Sequence, residues 1–345
     1  MKSSRKSVRT KESALPELRF EDQRLTSFAG LVVLQKFFQV IQFKAQLQPC
    51  FRHLAPGKIF DRTTIFLQLV LHVLLGFREL RDGDHYRDDP LVQRVLGLKR
   101  LPDVATISRM LKEADETSVR KLRQLLGQLV LDRLASLVLP RITLDFDGSV
   151  QSTQRRAEGS AVGFNKKKKG ARSYYPLFCT VAQTGQVLNF LHRSGNVHDS
   201  NGAQAFILSC VEQVRSVLPG VIIEVRMDSA FFSDEIVTAL DKQGVQFTIS
   251  VPFERFVELK QMIEQRQRWF ALNKDVSYFE SQWKPKSWKR RCRFLMIRTR
   301  TKQQQKGPLQ LDLFEPYAYG YEFKVIVTNK DLSAAGVVSY HEGRG

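Results

Sequence analysis

Residues 141–150 read RITLDFDGSV, and this segment separates a helical first part of the chain from a strand-rich second part. Apolar and polar residues alternate in it, in the order Ile142, Thr143, Leu144, Asp145, Phe146 and Asp147. Alternation with a period of two predicts a β-strand with one apolar face and one face that carries two carboxylates. Pro140, just before it, marks the change of pattern.

The segments on either side predict two domains. Residues 13–137 have apolar spacings of three and four, which predict an α-helical domain. Further strands are predicted at 174–182, 185–193, 221–227, 245–251 and 321–328, with helices at 201–218 and 233–242. This succession predicts an α/β domain over 138–345, with 254–320 as an insertion. Residues 1–12 are expected to form a flexible basic arm.

Composition favours a polyanionic partner. The 345 residues include 54 Lys and Arg against 35 Asp and Glu, a formal charge of +19. A generally basic surface that serves solubility is the alternative, but clustering of the charge favours nucleic acid. The longest apolar run, 65–77, is well short of the ~20 residues that span a bilayer, so no membrane segment is expected. Four widely spaced cysteines give no disulfide framework or zinc knuckle.

Two basic clusters and one helix are the candidate DNA contacts. Residues 284–302 contain nine Lys or Arg and no acid. Trp288 is either a stacking residue or a core residue, and Arg109 lies on a helix that either enters the major groove or is an ordinary capped surface helix. The predicted phosphate-binding residues are Lys166, Lys167, Lys168, Lys169, Arg172, Lys289, Arg290, Arg291 and Arg293.

Asp147 and Asp228 each stand at the end of a predicted strand, and an α/β sheet places chemistry at that edge. If the two strands are neighbours, two like charges meet, which is costly unless a cation lies between them. Mg²⁺ or Mn²⁺ would suit such oxygen ligands and would assist phosphodiester cleavage. The alternative is that both aspartates only cap turns. Asp145 is a further possible ligand, a partner of the site or a solvated residue.

Several segments together resemble the bacterial insertion-sequence transposases of the DDE type, in the branch called transposase DDE domain group 1. They are TLDFDGS with Asp147, KKKKGARSYYPL at 166–177, GNVHDSNGA at 195–203, VRMDSAFFS with Asp228, and VIVTNKDL at 325–332. The resemblance implies an RNase H-like catalytic core with a β-rich insertion, after a helical DNA-binding region. It also implies that Asp147 and Asp228 are the first two catalytic, metal-binding aspartates.

The third acid of that family has no clear counterpart. Tyr340 and Arg344 fit the approach to it, but the glutamate would fall three residues after Gly345, and Glu342 lies in the wrong register. We therefore expect a truncated chain that lacks its third carboxylate and its C-terminal helix, and whose activity is impaired.

The sequence thus predicts a DNA transposase that binds terminal inverted repeats, cuts with the help of Mg²⁺ or Mn²⁺, and joins the freed 3′-hydroxyl to target DNA. We expect it to self-associate on DNA and to lie in the bacterial cytoplasm, at the nucleoid. A non-catalytic DNA-binding relic or repressor of transposition is the rival from another class. A metal-dependent nuclease without a transfer step would use the same residues.

Overall fold

A computed structural model describes residues 25–57, 59–153, 157–163, 165, 168–197, 201–301 and 320–344. The chain divides into two compact units, Met1–Leu122 and Arg123–Gly345. The predicted basic arm and residues 302–319 of the predicted insertion lie outside the described residues. Within the described ranges, no helix has both the length and the apolar character needed to cross a membrane.

The first unit is helical where it is described, as the apolar spacing predicted. Its helices are α1 (Leu31–Val40), α2 (Phe43–Phe51), α3 (Arg62–Leu74), α4 (Pro90–Leu96), α5 (Val104–Lys112) and the start of α6 (Glu116–Leu137). The side chains of Asp61, Asp89 and Asp103 accept backbone N–H groups at the starts of α3, α4 and α5. Such caps stabilise a helix by about 1 kcal/mol each. In the core, the Nδ1 atom of His72 lies 2.9 Å from the hydroxyl of Tyr86.

The second unit is built on one large mixed sheet. The first eight strands of this unit are β1 (Arg141–Gly148), β2 (Gln151–Ser152), β3 (Ala161–Val162), β4 (Arg172–Tyr174), β5 (Leu177–Val181), β6 (Gln186–Leu191), β7 (Ile222–Met227) and β8 (Gln246–Ser250). The next four are β9 (Phe270–Ala271), β10 (Val276–Trp283), β11 (Cys292–Arg300) and β12 (Tyr321–Thr328). The helices of this unit are the rest of α6, α7 (Ala203–Val217), α8 (Asp234–Lys242), α9 (Val257–Glu264) and α10 (Ala334–Glu342).

The strand order of the large sheet is β6-β5-β1-β7-β8-β12-β11-β10-β9, and β2, β4 and β3 form a separate small sheet. Strands β6, β5 and β1 are antiparallel neighbours, whereas β1, β7 and β8 run parallel. An antiparallel triplet followed by parallel strands is the arrangement of RNase H-like folds. The predicted α/β class and the fold implied by the resemblance are therefore confirmed.

One face of the central strands forms the main core. Ile142, Leu144 and Phe146 on β1 are fully buried in an apolar cluster to which α6, α7 and α8 also contribute, and Phe146 packs edge-on against Phe206 of α7. Full burial of one such side chain stabilises the fold by about 1.5–3 kcal/mol. This packing fixes β1, and with it the direction in which Asp147 leaves the sheet.

The predicted insertion extends the same sheet. Strands β10 and β11 pair along their whole length, and β11 pairs with β12, which pairs with β8. The described part of 254–320 thus adds α9 and three strands at the end of the sheet.

A helix follows the last strand, where the sequence analysis expected none. Helix α10 begins after Ser333, whose side chain accepts the N–H of Gly336, and it runs to Glu342. Val337 and Val338 pack on β11 and β12, through Leu295 and Ile326 among others. Nine residues with apolar contacts to a sheet suffice for a helix, because tertiary packing supplies most of a helix's stability.

Candidate active site

Asp147 and Asp228 lie side by side at the carboxyl-terminal edge of the sheet. Strands β1 and β7 are parallel neighbours, and their last register pair is Phe146 with Met227. Each aspartate is the next residue of its chain, so the two carboxylates follow the same pair. The structure therefore brings together the two residues that the sequence analysis selected, at the edge where it expected them.

Each carboxylate also makes a local hydrogen bond. Asp228 precedes a short 3-10 helix, 229–231, and its Oδ1 accepts the N–H of Ala230 at 2.9 Å. The Oδ1 atom of Asp147 accepts the N–H of Gly148 at 3.0 Å. The turn-capping role that was the alternative is therefore real for one oxygen of Asp228. It does not occupy the whole group, because the side chains of Asp147 and Asp228 are still 64% and 38% exposed.

Arg344 shows that the two carboxylates face a common point. Its Nη2 atom lies 3.5 Å from Oδ1 of Asp147 and 3.8 Å from Oδ2 of Asp228. One positive nitrogen close to both oxygens offsets the repulsion between two adjacent negative charges. The sequence analysis used Arg344 only to judge where the family's third acid would fall, and it did not predict this proximity.

The donor set fits a hard divalent cation. Mg²⁺ and Mn²⁺ prefer carboxylate oxygens, and two exposed aspartates that face one point supply them. Among the described residues there is no group of three or more His, Cys, Asp or Glu side chains that could hold a metal ion. Glu342, the nearest acid considered as a third ligand, therefore does not join Asp147 and Asp228.

Asp145 does not face the point between Asp147 and Asp228, because it forms an ion pair with Arg226. Its two oxygens lie 2.6 Å from Nε and 2.7 Å from Nη2 of Arg226, the residue opposite it on β7. The side chains of Arg226 and Asp145 are 7% and 16% exposed. Of the three roles left open for Asp145, that of a solvated residue is wrong. Asp145 is instead paired with Arg226 beneath the site.

A second buried ion pair lies further down the same face. Lys330 and Glu224 form it, and both side chains are 1% exposed. The hydroxyl of Thr143 donates to Glu224 at 3.1 Å, and Arg141 pairs with Glu224 at 2.7 Å. The ammonium of Lys330 lies 4.0 Å from the ring centroid of Tyr340 on α10. Burial lowers the pKa of Lys330, and the hydrogen bond to Glu224 opposes that shift.

His341 fixes the last turn of α10 to β8. Its Nδ1 and Nε2 atoms lie 2.9 Å from the hydroxyls of Thr248 and Ser250, and the residue is 3% exposed. Burial lowers the pKa of His341 to about 3, and the nearby cations Lys324, Arg344 and Arg226 lower it further. The imidazole is therefore neutral at physiological pH. The sequence analysis missed this contact because His341 and β8 are far apart in the chain.

The described candidates for DNA binding in the first unit and the small sheet differ in exposure. Arg109 is exposed on α5, where its guanidinium donates within its own helix to the carbonyl of Ala105 and the hydroxyl of Thr106. Lys168 and Lys169 are exposed, whereas Arg172 bonds to Ser160. Lys166 and Lys167 lie outside the described residues.

The described part of the basic cluster at 284–302 contains both arginines that form ion pairs and residues for which no ion pair is found. Arg290 pairs with Asp241 in the last turn of α8, and Arg293 pairs with Glu280 at 2.8 Å. Among the described residues, Lys289 and Arg291 are exposed and no ion-pair partner is found for either. The two paired arginines have structural tasks that the sequence could not indicate.

Trp288 occupies the core position that was its alternative. The residue is 6% exposed, and its ring stacks on Phe232 with centroids 4.7 Å apart. A base could stack on this indole only after the side chain had left its pocket. The geometry thus favours the core role, and DNA stacking by Trp288 stays a prediction.

A comparison with protein families identifies one match, described as transposase DDE domain group 1, over residues 9–345. No curated protein matches the chain. Similar solved structures include a piggyBac transposase synaptic complex with hairpin DNA, at 12% identity and a TM-score of 0.44, covering 85% of this chain and 60% of that one.

Two further solved structures are similar over shorter parts of the chain. A Mos1 mariner paired-end complex with Mn is 10% identical, with a TM-score of 0.23, and covers 56% of this chain and 60% of that one. A Drosophila P element transposase strand transfer complex is 12% identical, with a TM-score of 0.27, and covers 62% of this chain and 43% of that one. The chain thus spans about 60% of the length of the first structures that it matches.

Proposed function

Because the chain belongs to the transposase DDE domain group 1 family, we propose that it binds the terminal inverted repeats of an insertion sequence and cuts and joins DNA there. The observation that carries this proposal is the pair of exposed carboxylates, Asp147 and Asp228, that face a common point at the sheet edge. The proposal includes two or more copies acting on paired DNA ends, at the bacterial nucleoid.

Asp147 and Asp228 would hold the divalent cation. Once bound, Mg²⁺ or Mn²⁺ would supply Lewis-acid stabilisation to the oxygens of the reacting phosphodiester. The exposed sides of both aspartates leave room for a phosphate. Arg344 places a positive charge next to them, and a guanidinium is well suited to hydrogen-bond phosphate oxygens. These groups would therefore orient the DNA backbone at the two carboxylates.

Exposed basic residues outside the carboxylate pair would hold the rest of the DNA. Arg109, Lys168, Lys169, Lys289 and Arg291 are exposed, and the net charge of +19 supports a polyanionic partner. Lys166, Lys167, Arg172, Arg290, Arg293 and Trp288 complete the proposed DNA contacts. If ~8 of these residues contact phosphates, affinity should fall about 10³- to 10⁵-fold between 50 and 200 mM salt.

The test uses a labelled duplex that carries the terminal repeats flanking the gene, incubated with the chain and Mn²⁺. We expect nicked strands on a denaturing gel and, with target DNA added, joined products. Asp147→Asn and Asp228→Asn should each lower the rate by about 10³-fold or more, since each removes a ligand of the charge-stabilising ion. Asp132→Asn, an exposed carboxylate on α6, is the matched control and should cut at the rate of the unchanged chain.

The same experiment separates the rival functions. Nicking without joining would favour a nuclease that has no transfer step. Specific binding of the repeats without any nicking would favour a repressor of transposition. Among the residues that the structure describes, no third acid joins Asp147 and Asp228 in a group that could hold a metal ion, and this observation keeps the second candidate. Equal cutting by Asp147→Asn would refute the assigned site.

A further inference from the structure

Arg226 connects three parts of the molecule beneath the carboxylate pair. It lies on β7 two residues before Asp228, and therefore on the same face of the strand. Its Nε and Nη2 atoms bind both oxygens of Asp145, at 2.6 and 2.7 Å. Its Nη1 atom donates to the backbone carbonyl of Tyr340 at 2.9 Å. One side chain thus joins β7, β1 and the last turn of α10.

The end of α10 packs closely against the Arg226 guanidinium. The Arg226 guanidinium lies 5.3 Å from the ring centroid of Tyr340, within the range of a cation–π contact. A side chain at Gly343 would place its Cβ atom 2.7 Å from Nη1 of Arg226. Glycine at 343 therefore allows the close approach. Arg344, the next residue, is the one that reaches Asp147 and Asp228.

The pair with Arg226 also decides what Asp145 can do. Asp145 precedes Asp147 by two residues and shares its face of β1, so it is the acid best placed to compete for a cation. A bidentate pair with a buried guanidinium uses both of its oxygens. Asp145 is thereby held in the sheet face, and Asp147 and Asp228 remain the exposed pair.

We propose that Arg226 is a positioning residue of the metal site, which holds the last turn of α10 against the sheet edge and keeps Asp145 out of the cation's coordination. This inference rests on the proposed function, because it assigns Arg226 to the site that Asp147 and Asp228 form. It assigns to Arg226 a role that neither the sequence pattern nor membership of the family gave it.

The variant Arg226→Lys would keep the positive charge but lose the geometry that positions α10 and Asp145. A guanidinium has donors on several sides, so it can bind a carboxylate with two N–H groups and a carbonyl with a third. A lysine ammonium is a compact charge on a flexible chain, and it cannot reproduce that fixed geometry. The variant therefore separates the presence of a positive charge from the placement of α10 and Asp145.

The test compares Arg226→Lys with Arg141→Lys in the full chain. Arg141 also pairs with a buried acid of β7, Glu224 at 2.7 Å, but at the opposite end of β1. Mn²⁺ binding is measured by calorimetric titration, hydrogen exchange of the backbone amides of 340–344 by mass spectrometry, and folding by thermal unfolding. Substitution of groups that orient metal ligands lowers metal affinity by about 10- to 100-fold.

We expect Arg226→Lys to bind Mn²⁺ at least about 10-fold more weakly and to exchange the 340–344 amides faster, while Arg141→Lys matches the unchanged chain in both. Gly343→Ala should weaken binding in the same direction, since its Cβ atom would lie 2.7 Å from Nη1 of Arg226 and would force the guanidinium and the end of α10 apart. It serves as the second variant if Arg226→Lys does not fold.

Two outcomes would overturn the inference, and they differ from a failure of the proposed function. Unchanged Mn²⁺ affinity in folded Arg226→Lys would refute the positioning role, provided that Asp147→Asn abolishes binding. Equal losses in Arg226→Lys and Arg141→Lys would show a general effect of stability. If the unchanged chain binds no Mn²⁺ in a manner that depends on Asp147, the proposed metal site itself is refuted, and the assignment of Arg226 to it falls as well.

Discussion

The two faces of strands β1, β7 and β8 have opposite chemistry, although both are covered by the protein. The face under α7 and α8 carries only apolar side chains: Ile142, Leu144, Phe146, Ile223, Val225, Met227, Phe247 and Ile249. The other face is polar except for the exposed Ile222 at the start of β7: Arg141, Thr143, Asp145, Asp147, Glu224, Arg226, Asp228, Gln246, Thr248 and Ser250. The strands alternate strictly, so each contributes to both faces.

The apolar face supplies most of the stability of the sheet, whereas the polar face fixes the positions of individual side chains. Apolar packing is non-directional, and it holds the sheet together without specifying the angle of any one group. Buried charges and hydrogen bonds are directional, and each needs a partner at a defined position. The polar face therefore ties α10 to three strands through Tyr340, His341 and Arg344. Its last row, Asp147 and Asp228, is the row left exposed.

The largest effect on stability is expected from a cavity in the apolar face. Phe146→Ala removes a fully buried ring that packs edge-on against Phe206, with centroids 5.9 Å apart. We expect the free energy of unfolding to fall by about 4 kcal/mol, from lost burial and the cavity that remains. Urea unfolding followed by circular dichroism measures it. A loss below ~1 kcal/mol would mean that this face is not the main source of stability.

A somewhat smaller loss is expected when the buried ion pair of the polar face is broken. Lys330→Met leaves the Glu224 carboxylate buried without its ammonium partner, although Arg141 and Thr143 still contact it. We expect a loss of about 3 kcal/mol. The double variant Glu224→Gln with Lys330→Met should lose clearly less, since no buried charge loses its partner. An additive loss in urea unfolding would contradict the pairing.

The third prediction concerns pH and His341. Its pKa of about 3 in the folded chain is below the ordinary value of 6.5, so below pH 6.5 the unfolded chain binds a proton that the folded chain excludes. The free energy of unfolding therefore falls as the pH decreases from about 6.5 towards 3, by at most ~1.4 kcal/mol per pH unit.

Relative to His341→Gln, which cannot take up that proton, the unchanged chain should lose about 2 kcal/mol between pH 7 and pH 5. Urea unfolding of both proteins at each pH provides the comparison, since the other titrating groups contribute to both. Parallel curves for the two proteins over this range would show that His341 is not held neutral by the fold.

The smallest effect on stability is expected at the exposed end of the polar face. Asp147→Asn should change the free energy of unfolding by no more than about 0.5 kcal/mol, because the side chain is 64% exposed and the ion pair that it forms with Arg344, among the described residues, is long at 3.5 Å. The same variant should abolish most cleavage. A loss of stability as large as that of Lys330→Met would instead place Asp147 in the structural part of the network.

Residues near one another in the chain were predicted well. Alternation in 142–147 and 221–227 gave β1 and β7, the helical spacing before 138 gave the first unit, and Ser233 gave the start of α8. Asp147 and Asp228 were selected because each stands at the end of a predicted strand. These features depend on periodicity and on residues a few positions apart, which the sequence contains in full.

Partners far apart in the chain were not predicted. Nothing in residues 221–227, VIIEVRM, indicates that Glu224 pairs with Lys330 or that Arg226 pairs with Asp145. Two charged residues in an apolar strand do indicate that each must have a partner. The same holds for Arg290 with Asp241, and for Trp288 with Phe232. The basic cluster at 284–302 was treated as one DNA-binding surface because charge alone does not show which arginines already have a partner.

The sequence by itself determined the helical and strand segments, the strand ends that bear Asp147 and Asp228, and the strong positive charge. Only the tertiary structure decided that the two carboxylates adjoin, that Asp145 is withheld from them by Arg226, and that α10 carries Arg344 to both. The reason is physical: hydrophobic periodicity is local in the chain, whereas the pairing of buried charges depends on strand order and register, which bring together residues more than 80 positions apart.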